Sequence, residues 1–179
     1  MVGLGNPGSE YAKTRHNVGF RVAEELLQRW DLPRARTKFG GLISEGRAGP
    51  GGPRVAVLLP QKFMNESGSV AGPARGSLKV PLDRVVVVHD EIDLPFGRIE
   101  SRLGGGLAGH NGLKSLREGL GSPDFRRVRV GVGRPESTDP EIVSSWVLGR
   151  FAEPGSEVEA LVDDAARETE RLVAELSGE

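Results

Sequence analysis

The chemistry open to this chain rests on three histidines, the carboxylates around residue 90 and four asparagines. His16 lies in Lys13-Thr14-Arg15-His16-Asn17-Val18-Gly19-Phe20, just ahead of an apolar helical pattern. His89 closes a run of valines and is followed by Asp90, Glu91 and Asp93, and His110 follows the glycine-rich stretch 104–109. Histidine is the natural general base near neutral pH. It serves best when a carboxylate accepts a hydrogen bond from its other ring nitrogen and so fixes the tautomer. Asp90 can serve His16 in this way if their segments meet. Residue type alone does not rank the three histidines.

Asn6, Asn17, Asn65 and Asn111 each sit at a loop edge or beside glycine. A neutral amide can orient an ester carbonyl or stabilise an oxyanion without competing for the base's proton. Such residues are also ordinary caps and turn formers. The chain has no cysteine, which excludes thiol nucleophiles, thiolate metal sites and disulfides. It has no Gly-x-Ser-x-Gly elbow. No HExxH is present and no two histidines are four apart, so a zinc site would need all three histidines or added carboxylates. This inventory favours direct attack by water on an ester or similar electrophile. Gly3-Leu4-Gly5-Asn6-Pro7-Gly8 formally matches GxGxxG, but only Met1 and Val2 precede it, too little for the strand a dinucleotide site requires.

These groups must be positioned by regular elements. Helical spacing of Ala23, Leu26, Leu27 and Trp30 predicts a helix over 18–30, with Asn17 as a possible cap. Strands are predicted at 39–45, 54–59, 84–88, 98–103 and 125–132; the four consecutive valines of 85–88 mark a buried, parallel, central strand. A helix over 67–78 is expected to kink or start late at Gly72-Pro73. Short helices are predicted near 113–120 and 139–146. A long one over 157–176 presents Val158, Leu161, Val162, Ala165, Thr169, Leu172, Val173 and Leu176 on one face. This alternation predicts an α/β fold: a single three-layer domain with a mixed, mostly parallel central sheet flanked by helices. In such folds ligands bind beyond the carboxyl ends of the strands. The polar segments 5–8, 60–65 and 89–93 are expected to converge there.

The 179 residues suit one domain over the whole chain, and no apolar run is long enough to cross a bilayer. The opening residues lack the features of a signal peptide, so a cytoplasmic protein is expected. The net charge of −1 hides an asymmetry: residues 153–179 hold nine acids against Arg167 and Arg171, which leaves the body of the chain positive. Lys114, Arg117, Arg126, Arg127, Arg129 and Arg134 concentrate much of that charge. Such a surface can attract a polyanion.

Four separated segments together resemble the bacterial-type peptidyl-tRNA hydrolase family. They are Val2-Gly3-Leu4-Gly5-Asn6-Pro7-Gly8; Thr14-Arg15-His16-Asn17-Val18-Gly19; Gln61-Lys62-Phe63-Met64-Asn65-Glu66-Ser67-Gly68; and Asp90-Glu91-Ile92-Asp93-Leu94-Pro95 with Gly104-Gly105-Gly106 through His110-Asn111-Gly112-Leu113-Lys114. The resemblance implies a monomeric enzyme that hydrolyses the ester between a peptide and the 3′ ribose of tRNA, without a metal or organic cofactor. It implies His16 as the catalytic base, Asp90 as the acid that orients it, and Asn6 and Asn65 as amides that position substrate and water. It links Asn111 to the tRNA end and the water, Tyr11 and Met64 to the cleft lining, and Arg102 to tRNA phosphate. Lys114, with one or more of Arg126, Arg127 and Arg129, is expected to add phosphate contacts. The sequence departs from the family pattern at Lys62-Phe63, at Gly106-Leu107-Ala108-Gly109-His110 and at Gly133-Arg134-Pro135-Glu136.

Three other readings compete: a non-catalytic tRNA or RNA binder on the same scaffold, a nucleotide-dependent oxidoreductase using residues 3–8, and a general esterase. A pure binder has no need of a tuned base, which sets the His16 and Asp90 pairing against the first.

Overall fold

The computed structural model describes residues 1–178. In chain order it has β1 (Val2–Gly3), a 3-10 turn (Arg15–Asn17) running into α1 (Val18–Arg29), β2 (Arg36–Lys38), β3 (Gly41–Arg47) and β4 (Arg54–Pro60). A second 3-10 turn (Met64–Glu66) leads into α2 (Ser67–Leu78), followed by β5 (Val86–Glu91), β6 (Ile99–Leu103), α3 (Asn111–Leu120), β7 (Arg126–Gly131), α4 (Pro140–Val147) and α5 (Gly155–Ser177). The strands form one sheet in the order β2-β3-β4-β1-β5-β7-β6. Its centre, β4-β1-β5-β7, is parallel, while β2, β3 and β6 join antiparallel at the edges. One apolar cluster packs α1 and α5 on one face, and a second packs α2 and α3 on the other. These are the expected three layers.

Several expectations are refined. The strand predicted over 39–45 is β3, which begins at Gly41 and pairs with β2, unforeseen in the sequence, across a turn at Phe39 (φ 61°) and Gly40 (φ 82°). Two left-handed residues give the tight turn whose twist matches paired strands. The valine strand runs on through His89, Asp90 and Glu91, because β7 continues to pair with it as far as Gly131. All six residues of β5 are buried, so two ionisable side chains and a histidine end the central strand inside the protein. α2 does not start late at Pro73: it begins at Ser67 and continues through the proline. Gly72 lacks the Cβ that normally pushes the residue before proline out of the helical region. α5 buries all but one of the predicted face; Val173 is half-buried. Its acidic side is tied to α1 by Arg29, which bonds Glu25, Asp163 and Glu170.

The position of the turn carrying His16 depends on how closely α1 approaches the sheet. A Cβ on Gly19 would sit 2.4 Å from the Val88 carbonyl oxygen and 2.6 Å from the Leu4 backbone nitrogen and oxygen. All three atoms are main chain and cannot swing aside. Gly19→Ala is therefore expected to cost about 3 kcal/mol of stability. Urea denaturation measures it, and an unchanged midpoint would contradict the close approach.

Candidate active site

His16 lies at the centre of the first 3-10 turn, with Asp90 near the carboxyl end of the central strand β5. Folding brings these residues, 74 apart in sequence, into contact: His16 Nδ1 is 2.9 Å from Asp90 Oδ2 and 3.0 Å from Oδ1. Asp90 is 2 % exposed and His16 9 %. On its other side Asp90 meets His110, whose Nε2 is 2.8 Å from Oδ1.

His110 also caps α3. Its Nδ1 accepts from the backbone N–H groups of Gly112 (3.1 Å) and Leu113 (3.3 Å). An Nδ1 that accepts leaves the proton on Nε2, so His110 donates to Asp90. The carboxylate accepts from His16 Nδ1–H as well, which leaves His16 Nε2 as the lone-pair nitrogen. Ligand atoms of His16, Asp90 and His110 lie within 4.8 Å of one another, close enough in principle for a metal ion. The His110 tautomer does not suit one, because the nitrogen facing the cluster carries the proton. The donor set fits a hydrogen-bonded triad.

The electrostatics follow from burial and pairing. For His16, burial opposes the charged form, but the Asp90 charge and hydrogen bond outweigh it and raise the imidazole above its ordinary value. For Asp90, burial pushes upward, yet the two imidazoles more than offset this and hold the carboxyl well below the usual range. His89 behaves differently. Burial, with His110 adding to it, pushes its imidazole down to about 3, and its Nδ1–H donates to the Asp90 carbonyl oxygen at 2.9 Å. It is a neutral ring packed behind His110, centroids 5.3 Å apart.

A cleft of about 630 Å³ opens over this triad, lined among others by Asn6, His16, Met64, Asn65, Asn111 and Lys114. Asn6 Oδ1 accepts from the Met64 N–H at 2.7 Å, so only its Nδ2 donors remain for a ligand. Asn17, which lies outside the resemblance-derived set, fixes Asn6 with two 2.9 Å bonds to its backbone N–H and carbonyl. Asn65 and Asn111 are exposed on the cleft. They approach one rim because α2 and α3 touch through glycine: a Cβ on Gly68 would sit 1.9 Å from the Ser115 carbonyl oxygen. Phe63 and Ile92, with Val143, Val147 and Leu148 in and just after α4, add apolar walls. A separate apolar cavity of about 290 Å³ at the opposite end of the parallel strands contains none of these groups.

The structure sorts the other expectations. Tyr11 does not line the cleft; it packs edge-on against Phe63, centroids 6.4 Å apart. Arg102 lies outside the cleft, exposed, with its Nε 3.3 Å from the Gly104 carbonyl oxygen. Arg127 is 1 % exposed and cannot face a polyanion, which corrects its place among the expected phosphate contacts. Arg129 is engaged by Glu91 and Glu100. The glycines of residues 3–8 do not form an open phosphate cradle: a Cβ on Gly5 would meet the Phe20 ring at 2.6 Å. The residue that sequence reasoning undervalued is His110. It caps α3, and nothing local in sequence signals its contact with Asp90.

The family model described as peptidyl-tRNA hydrolase matches residues 1–178. The chain is 47 % identical over 178 residues to the peptidyl-tRNA hydrolase of Anaeromyxobacter dehalogenans (strain 2CP-C), covering 98 % of this chain and 90 % of that one. It is 46 % identical to that of Mycolicibacterium smegmatis, over 98 % and 91 % of the two chains. A crystal structure of peptidyl-tRNA hydrolase from Acinetobacter baumannii superposes with a TM-score of 0.83 at 39 % identity, covering 96 % of this chain and 84 % of that one.

Proposed function

The chain belongs to the peptidyl-tRNA hydrolase family, and from its site we infer that His16, held by Asp90, is the base that activates water for the reaction. The enzyme hydrolyses peptidyl-tRNA, a task of translation. The observation that carries the role of His16 is its Nδ1–Asp90 bond at 2.9 Å, which leaves Nε2 unpaired on a residue lining the cleft.

Water attacks the ester carbonyl carbon while His16 Nε2 takes its proton. Asp90 stabilises the imidazolium without becoming protonated itself. The carbonyl oxygen takes up negative charge, which amide donors facing the cleft stabilise; Asn6 Nδ2 is one, with Asn65 and Asn111 on the same rim. The tetrahedral intermediate collapses with cleavage of the bond to the ribose 3′ oxygen. That oxygen takes the proton back from His16. The peptide acid gives its remaining proton to solvent, and a peptide carboxylate and a tRNA with a free 3′ hydroxyl leave. The apolar wall near α4 gives the peptide a surface, with Met64 beneath the cleft and Tyr11 bracing Phe63. Arg102 and Lys114, both exposed, supply phosphate contacts to the acceptor arm.

Release of peptide from purified peptidyl-tRNA tests the activity; tight binding without turnover would contradict it. Arg102→Ala is expected to raise KM for full-length substrate and to lower the salt slope by about one, with kcat little changed. A variant with unaltered salt dependence would remove Arg102 from the RNA interface. No helix among the described residues is long and apolar enough to cross a membrane. The same reading takes residues 1–179 as one hydrolase domain acting as a cytoplasmic monomer.

A further inference from the structure

The segment between β6 and α3 has to place two site residues at once: His110 against Asp90, and Asn111 at the cleft. It contains Gly104, Gly105, Gly106 and Gly109, and its backbone takes left-handed conformations at Gly104, Gly105, Ala108 and Gly109. Such a loop does not hold its own shape, since glycine populates many backbone states. Its far end is fixed by the His110 contacts. Its near end is fixed by something the active-site chemistry does not require.

That something is Arg127 on β7. Its guanidinium lies under the loop, and Nη1 donates to the Gly106 carbonyl oxygen at 2.6 Å. Nη2 donates to the Gly105 carbonyl oxygen at 3.1 Å and to that of Pro123 at 3.0 Å. Its guanidinium lies over the Phe125 ring at 4.8 Å, its hydrogen bonds among the described residues go to carbonyl oxygens, and its Nε is buried without a hydrogen-bond partner. Burying a cation is costly unless it does something specific. Here burial disfavours the charged form most, and Arg102 and Arg129 add to it, while Glu91 and Asp124 only partly offset them. An apolar side chain would fill the same space more cheaply. The planar fork, however, can grip consecutive carbonyls in a fixed geometry, which a lysine cannot. Gly104 N–H adds a bond to the Phe125 carbonyl oxygen at 2.9 Å, so the loop is sewn to the start of β7 at three successive residues.

We propose that Arg127 is a positioning residue for the hydrolysis: it fixes the glycine loop from beneath so that His110 reaches Asp90 and Asn111 faces the ester. It touches neither substrate nor water, and it acts through the loop. The proposal rests on the reading that the His16–Asp90–His110 cluster is the catalytic centre.

The test uses Arg127→Lys, which keeps a cation but loses the fork, and Arg127→Gln, which loses the charge. For each, kcat and KM are measured on full-length peptidyl-tRNA and on a short 3′-terminal peptidyl-oligonucleotide, and amide hydrogen exchange is followed over residues 104–112. The expected result is a fall in kcat of about 10- to 100-fold on both substrates, as misplacement of a catalytic group produces. KM stays near its original value, and exchange in the loop quickens while the core exchanges as before. Arg127→Lys separates anchoring from stability if Arg127→Gln folds poorly. Unchanged kcat with native loop exchange would overturn the proposal. So would a rise in KM confined to the full-length substrate, which would make Arg127 a phosphate contact. Loop exchange does not depend on which residue is the base, so it judges the anchor even if the catalytic reading fails.

Discussion

Replacing His16 by alanine should lower kcat by about 10²- to 10⁴-fold, the usual contribution of a positioned general base. KM should barely move, because the side chain reaches the cleft with one nitrogen and its other nitrogen is committed to Asp90. The fold should survive: Asp90 keeps its hydrogen bond from His110 at 2.8 Å and is not left buried without a donor. Single-turnover release of peptide from peptidyl-tRNA, with thermal unfolding as a control, reads both effects. A variant that turns over at the native rate would mean that another group takes the proton.

Asp90→Asn should approach the same loss, for a reason specific to this site. The asparagine must offer its oxygen to one imidazole and its amide to the other. His110 cannot change its proton, because its Nδ1 is held as an acceptor by two backbone N–H groups at the start of α3. The oxygen therefore goes to His110 Nε2–H, and the amide faces His16 Nδ1. His16 must then carry its proton on Nε2, the wrong nitrogen for a base. In a catalytic triad such a tautomer change costs about 10⁴-fold. Asp90→Ala, which leaves the tautomer free, should be the less damaged of the two in kcat. The opposite order would show that the tautomer is not what Asp90 controls.

The two pH dependences of the His16 pair run in opposite directions. Its imidazole is raised in the folded protein, mainly against burial and through Asp90. The stability this pairing adds is therefore fully present below the ordinary histidine value and is lost as pH rises through the folded one. Activity needs the neutral ring and gains over that same upper range. The depressed Asp90 carboxyl contributes stability above the ordinary carboxylate range, lost only as pH falls through its folded value.

Much of this site was legible because its parts are local. The valine run predicts a buried strand, and the heptad-like face of 158–176 predicts the last helix, since both patterns reflect one-sided or complete burial. The family resemblance singles out His16 and Asp90 from among equivalent residue types. What sequence did not show depends on contacts between distant segments. The ends of β5 and the hairpin of β2 with β3 depend on pairing partners. Arg127 reads as one cation of a basic strand until the loop is folded over it. His110 is one of three unranked histidines until β5 brings Asp90 to its Nε2. In each case the residue's role belongs to a second segment that periodicity does not reach.

The most direct test of the central claim is to follow the His16 imidazole by NMR through a pH titration and to compare its midpoint with the rising, low-pH limb of kcat/KM, which reports the free enzyme's essential base. The two should coincide, above the ordinary histidine value of 6.5. A kinetic limb whose midpoint differs from the His16 titration would show that the rate is governed by a different proton acceptor.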